Sequence, residues 1–350
     1  MSRPDVTVIG AGLAGVEAAC TLARRGVRVD LFEMRPVAMT PAHTTDLLAE
    51  LVCSNSLKGT DPLTAHGILK REMAGLGSVT LDAASRTRVP AGKALAVDRE
   101  AFARTVTDEV SSNRLISVIR QEVASIPLTG LTVIATGPLT SDAMVRSLAS
   151  LTGSGSLYFY DAISPIVDAR SVDMDHAFFS SRWDPGATDY LNCPMDEETY
   201  RRFVAELRKA DRVTAHDFED VRYFDACLPV EVLAVRGEDA LRYGPLRPVG
   251  LVDPRTQRRP YAVVQLRREN LPGDAYTMVG FQTRLTYPEQ RRVISLIPAL
   301  AHARLLRYGS MHRNTYVDSP RVLNTDLSLM SAPDVFLAGQ ITGVEGYVES

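Results

Sequence analysis

Several things are missing from this chain, and each absence narrows what it can be. No uncharged apolar run reaches the ~18 residues a membrane-spanning helix needs. The N-terminus shows no cationic stretch leading into a long apolar helix, and a glycine turn begins by Gly10, too early for a secretory signal. The four cysteines, Cys20, Cys53, Cys193 and Cys227, show no CxxC or other metal-ligand spacing, and the six histidines are scattered. A structural disulfide framework and a metal centre are therefore not expected, and free thiols suit a reducing, cytoplasmic setting. There is no internal repeat and no low-complexity segment.

What is present is ordinary in bulk and unusual in detail. The 350 residues, 45% hydrophobic and 23% charged, suffice for two sizeable domains or one carrying an insertion. The net charge of −3 hides an asymmetry. Residues 161–239 hold 9 Lys and Arg against 18 Asp and Glu, whereas residues 242–313 hold 13 Arg against 4 acids. The basic segment either faces phosphates or pairs with the acidic one, and composition does not choose between them.

The first 35 residues organise the rest. An apolar run, Val6 to Ile9, leads into Gly10-x-Gly12-x-x-Gly15, a helix-forming stretch to Arg25, the stop Gly26, and an alternating strand ending at Glu33, 18 positions beyond Gly15. In a strand–turn–helix–strand unit, Gly10 permits the tight turn and Gly12 lets the backbone approach a pyrophosphate. Gly15 lets helix and strand pack closely, while Ala11, Leu13 and Ala14 open the helix N-terminus towards the phosphates. Glu33, with Met34 beside it, can accept from a ribose hydroxyl. Two later strand ends share this character: Ala135-Thr136-Gly137, and Gly339-Gln340-Ile-Thr342-Gly343. Three such sites in this order shift the expected ligand from any dinucleotide to FAD.

Further along, expected elements include helices at 46–52, 68–76, 98–110, 197–210 and, after Pro288, most of 285–307. Expected strands lie at 94–97, within 115–126 and at 277–282. The pattern change near residue 151 divides the chain. Residues 1–150 and 315–350 form a discontinuous Rossmann-like α/β domain, and residues 151–314 an inserted α+β substrate domain. Cys20 and Cys193 read as small buried hydrophobes. Cys53, within Glu50-Leu-Val-Cys-Ser-Asn-Ser56, and Cys227, near Arg222 and Glu231, lie among polar groups that suit a reactive thiol.

Several longer motifs carry a resemblance: Leu51-Val-Cys-Ser-Asn-Ser-Leu57, Pro90-Ala-Gly-Lys-Ala-Leu-Ala-Val-Asp-Arg99, Val221-Arg-Tyr-Phe-Asp-Ala-Cys227, Pro248-Val-Gly-Leu-Val-Asp-Pro-Arg255, Met311-His-Arg-Asn-Thr315 and Gly339-Gln-Ile-Thr-Gly-Val-Glu-Gly-Tyr-Val348. Together they make nearly the whole chain similar to the bacterial folate- and FAD-dependent tRNA (uracil-5-)-methyltransferases. The resemblance implies methylation of C5 of a uridine in the tRNA T-loop. The carbon comes from 5,10-methylenetetrahydrofolate, and NADH or NADPH reduces the flavin. It implies Cys227 as the nucleophile at uracil C6 and Cys53 as an acid–base or supporting thiol. It makes Arg255, Arg258, Arg259, Arg267 and Arg268 the expected phosphate contacts, with a target base that must leave its stack. Family members continue well past Gly346, so the chain is expected either to be a fragment or to hold its flavin weakly. Two alternatives are a related enzyme modifying a wobble uridine and a non-catalytic RNA-binding piece. The oligomeric state is left open.

Overall fold

A computed structural model describes every residue except 1–3, 154, 156, 183, 185 and 214–227. Its first layer is a six-stranded sheet built around β1 (Val6–Ile9) and β2 (Val29–Glu33), joined by helix α1 (Leu13–Arg24). The strands run in the order Ser328–Leu329, Ala332–Leu337, Leu131–Ile134, β1, β2 and Ile116–Arg120. All neighbours pair in parallel except the antiparallel edge strand at 328–329. Successive side chains of a strand face opposite sides, and β1 shows the consequence. Val8 joins a core with Val16, Phe102 and Val106, while Ile9 joins another with Met144, Leu148 and Leu337. Both faces are thus covered by helices, as a parallel sheet requires.

The second layer is a separate sheet, antiparallel throughout, ordered Phe178–Phe179, Tyr190–Met195, Ala262–Arg268, Ala275–Met278, Ile166–Asp168 and Leu305–Arg307. The helix Glu197–Lys209 covers it. Asp196 caps this helix by accepting from the Thr199 amide, and Tyr200, Phe203, Val204 and Leu207 form its buried stripe at helical spacing. A two-stranded ladder, Leu157–Ala162 against Met311–Tyr316, marks where the chain leaves the first unit and returns. The boundaries expected at 150 and 315 fall within the helix Asp142–Thr152 and within the strand Met311–Tyr316.

Some expected elements differ. Residues 46–52 form turns, not a helix. The Glu50 carboxylate takes the amides and hydroxyls of both Thr44 and Thr45, the Leu48 amide goes to Thr107, and Ala49 adopts φ 52°. Side chains have claimed the backbone groups a helix would use. The stretch 285–307 holds one α-helix, Tyr287–Ile294, and a single 3-10 turn, Pro298–Leu300; Pro298 puts Ile297 into extended backbone (φ −83°, ψ 118°) between them, and Leu305–Arg307 is a strand. The strand near 277 ends at Met278, before the chain turns at Gly280 (φ 66°). Within 115–126 only Ile116–Arg120 is strand.

Candidate active site

The C-terminal ends of β1, Leu131–Ile134 and Ala332–Leu337 open onto one cavity of about 490 Å³. Its glycines test whether a dinucleotide fits. Gly10 holds φ 98°, and a Cβ there would lie 2.5 Å from the Ala135 carbonyl oxygen; a Cβ on Gly15 would lie 1.8 Å from that of Gly10. Neither position has room for a side chain. Gly12, by contrast, faces open space and caps α1 without any side-chain hydrogen bond, so the first amides of the helix remain available to an anion. Gly339 (φ 83°) comes so close to α1 that its Cβ would sit 2.8 Å from that of Ala14. Such a backbone cradle fits the pyrophosphate of FAD. Of the expected cofactor positions, all but Gly15, Thr342 and Gly343 line the cavity. Gly15 serves packing, and the Thr342 hydroxyl closes its own loop onto the Gly339 carbonyl at 2.8 Å.

Glu33 is buried at the rim of this cradle. One oxygen accepts from the Arg35 amide (3.0 Å) and guanidinium (2.8 Å), the other from the Ala11 amide (3.2 Å). Burial works to raise its carboxyl, but the hydrogen bonds and charge of Arg35 outweigh it and hold the group below the usual carboxylate range. Arg35 is itself only 2% exposed and bridges Glu33 to Glu50 (3.0 Å).

Cys53 lines the same cavity and is half-buried. Its turn is fixed from three directions. The Tyr347 hydroxyl oxygen accepts the amides of Cys53 (2.8 Å) and Ser54 (3.2 Å). Arg267 donates to Asn55 Oδ1 and Ser54 Oγ, both at 2.9 Å. Arg99 donates to the Leu51 carbonyl and pairs with Glu269. The backbone before and after Cys53 is thereby held by two guanidinium groups. Asn55, fully buried, adds bonds to the Val97 (3.0 Å) and Arg268 (2.9 Å) carbonyls. Cys20 and Cys193 are buried, and desolvation pushes the Cys20 thiol up to about 11. Cys227 lies outside the described residues, as does Arg222. Glu231 opens the helix that follows Pro229, fully buried, its carboxylate accepting from the Thr283 hydroxyl (2.9 Å) and the Arg284 amide (2.8 Å).

Further titratable groups line the cavity, among them His43, His312, Asp161 and Glu345. Burial, reinforced by the Arg35 charge, lowers His43 to about 4. Burial, with Arg307 and His43, does the same to His312, so both rings are neutral at pH 7. The buried His312 Nε2 has no hydrogen-bond partner among the described residues. Glu345 is pushed up to about 7 by burial and by Asp161, so its carboxyl can both give and take a proton near neutrality. The sequence had assigned no role to these residues, nor to Tyr347 and Arg99. Its one signal was that Arg99, His312, Glu345 and Tyr347 stand within the longer motifs.

The arginines divide. Arg255 is paired with Asp253 at 2.6 Å, while Arg258 and Arg259 are exposed and have no acidic partner among the described residues. Arg267 is 7% exposed and committed to the Cys53 turn, which removes it from any phosphate-facing set. Part of the charge asymmetry is internal: Asp168 binds Arg304, and Glu206 binds Arg292 at 2.6 Å. No group of three or more metal-ligating side chains occurs among the described residues, and no described helix is long and apolar enough to cross a membrane.

A family model described as glucose inhibited division protein A matches residues 5–350. The methylenetetrahydrofolate–tRNA-(uracil-5-)-methyltransferase TrmFO of Solibacter usitatus is 55% identical over 354 residues, covering 100% of this chain and 79% of its own. The proteins of that name from Desulforudis audaxviator and Anaeromyxobacter dehalogenans are 56% and 57% identical, with 99% and 100% of this chain covered and 79% and 78% of theirs. Among solved structures, Aquifex aeolicus GidA in its form I crystal superposes with a TM-score of 0.73 at 16% identity, over 99% of this chain. This chain spans only 63% of that one, and the likeness concerns the fold alone.

Proposed function

This chain belongs to the methylenetetrahydrofolate–tRNA-(uracil-5-)-methyltransferase family, and from that premise we propose that it methylates C5 of a tRNA uridine with a carbon from 5,10-methylenetetrahydrofolate. The observation that carries the reading is the single cavity in which a dinucleotide cradle and the Cys53 thiol meet. When bound, FAD would supply reducing equivalents that bring the one-carbon unit to the methyl level. NADH or NADPH is the proposed source of those electrons, and the T-loop the proposed target.

The chain's own residues have defined parts in this proposal. Gly10 to Ala14 at the opening of α1 would hold the pyrophosphate, Glu33 would accept from the ribose, and Gly339 and Gln340 would line the cofactor from the other side. Uracil C5 is a poor nucleophile until a thiolate adds at C6; Cys227 is proposed for that addition, and once C5 carries the new carbon, removal of the C5 proton re-forms the C5–C6 double bond and expels the thiolate. The Cys53 thiol, Glu345 and the neutral His43 and His312 are among the groups on the cavity wall able to hold or accept a proton at C5 or at the folate. The uridine must leave its stack to reach them, which suits a recessed site. The reading assigns the reaction to the cytoplasm.

Incubating the flavin-loaded protein with tRNA, NADPH and methylenetetrahydrofolate labelled in its one-carbon unit tests this. Label should appear as 5-methyluridine on nucleoside analysis; an aminomethyl-type product, or none, sinks the reading. Cys227→Ala should abolish transfer while leaving the flavin spectrum intact.

A further inference from the structure

We infer that the stacked pair Tyr287–Tyr308, together with Arg291, is a platform on which an unpaired base of the RNA substrate stacks. The inference rests on the tRNA reading above and adds a contact site to it. The two rings lie 4.4 Å apart at 21°, a parallel stack. Tyr287 opens the helix Tyr287–Ile294 and is 53% exposed, so the stack ends in an open aromatic face instead of being buried in the core. The Arg291 guanidinium donates to the Tyr308 hydroxyl at 2.6 Å and lies 5.6 Å from the centre of that ring.

Charge separates this spot from its surroundings. On the same helix, Arg292 is neutralised by Glu289 (2.7 Å) and Glu206 (2.6 Å). Arg291 has no carboxylate partner among the described residues. An exposed aromatic face beside an uncompensated guanidinium matches a nucleotide in both its parts, a π-surface and a phosphate.

The platform is rigid and well placed. The Gln290 side chain accepts the Gly309 amide at 2.8 Å and donates to its carbonyl at 2.9 Å, locking helix and Tyr308 turn together. Gly309 also packs on Thr283, where a Cβ would lie 2.5 Å from that side chain. The stretch just before Tyr287 anchors the backbone on either side of residues 214–227. Val213 donates to the Arg284 carbonyl and Val230 to that of Gln282, both at 2.8 Å, and the Thr286 amide goes to Asp211 at 3.0 Å. A base held on Tyr287 is thus tied to the same short stretch that holds Asp211, Val213 and Val230.

The test uses the flavin-loaded protein and a tRNA transcript, with Tyr287→Ala, Tyr287→Phe and Arg291→Gln. Tyr287→Ala should raise both Kd and KM for tRNA about fivefold or more, the low end of what one stacked base contributes. Its kcat, its KM for the folate and its flavin content should stay within twofold of the parent. Tyr287→Phe should behave as the parent, and Arg291→Gln should lower the salt dependence of tRNA binding by about one unit of slope. An unchanged KM for tRNA in Tyr287→Ala overturns the inference, as does a rise accompanied by flavin loss and a lowered Tm. Should Tyr287→Ala fail to fold, Tyr287→Leu, which keeps bulk without a π-face, carries the same expectation. Parent protein that neither binds tRNA nor transfers the carbon would overturn the functional reading itself, an outcome distinct from an unaffected variant.

Discussion

The glycine cradle and the Cys53 turn line one cavity, yet they are held in shape by different physics. The cradle is local and made of backbone. Gly10, Gly12 and Gly15 lie within six residues, and the distant groups they pack against belong to the consecutive Ala135 and Thr136. The Cys53 turn is built by side chains from far away in the chain: Arg99, Arg267 and Tyr347, the last 294 positions from the thiol. The cradle excludes side chains by contact distance, while the turn is held by hydrogen bonds to charged and phenolic groups. Damage to the first should be all-or-none for cofactor binding. Damage to the second should leave the cofactor in place and misplace the thiol.

The largest effect is therefore expected from Gly15→Val. Its Cβ would overlap the Gly10 carbonyl oxygen, which belongs to backbone and cannot swing away. Such overpacking costs about 3 kcal/mol or more of stability. We expect loss of the bound-flavin absorbance and a lowered denaturation midpoint. Retained flavin at parental stability would mean that the cradle is not rigid, and the contrast would collapse.

Next comes Arg267→Met. The buried guanidinium donates to two neutral acceptors, and its loss orphans Asn55 Oδ1 at a cost of about 1–3 kcal/mol. A displacement of the turn by about 1 Å can lower kcat about a hundredfold. Flavin content should hardly change, and a fall in both together would show that turn and cradle form one unit.

These two regions also explain how much the sequence disclosed. The cradle was legible because its determinants are consecutive: a β-rich run, three spaced glycines, a helix former and Glu33. The same holds for the helix Arg99–Ser112, whose Asp98 cap accepts from the Ala101 amide at 2.9 Å. The Cys53 turn was visible only as an odd cluster of small polar residues, since nothing near Ser54 in sequence points to Arg267. That arginine read as a phosphate contact because neither the resemblance nor a count of charge tells a buried guanidinium from an exposed one. The helix expected at 46–52 failed for a related reason: Glu50 looked like a helix former and instead gathers Thr44, Thr45 and Arg35.

Acid should separate the regions more gently. His43 and His312 sit at about 4 in the folded protein against an ordinary 6.5. The unfolded chain therefore binds more protons between those values, and stability falls as pH drops from 6.5 towards 4. Glu33 and Glu50, held low by their partners, add a loss of the same sign as pH falls through the carboxylate range. His312→Asn should flatten the Tm-against-pH curve in the upper part of that window. An unaltered slope would show that the ring is already protonated when folded.

The smallest effect, and the most specific, belongs to Tyr347→Phe. The ring keeps its packing, but the amides of Cys53 and Ser54 lose the oxygen they share. Water can reach this half-buried turn, so the stability cost should sit near the low end of the usual range, about 1 kcal/mol. The informative readout is local. Cys53 should be alkylated by iodoacetamide faster than in the parent, because its backbone is released on one side while Arg99 and Arg267 still hold the other. Flavin content and the Gly10–Gly15 end should not respond. Alkylation at the parental rate would mean that the two guanidinium groups alone define the turn, leaving Tyr347 as a packing residue of the cavity wall.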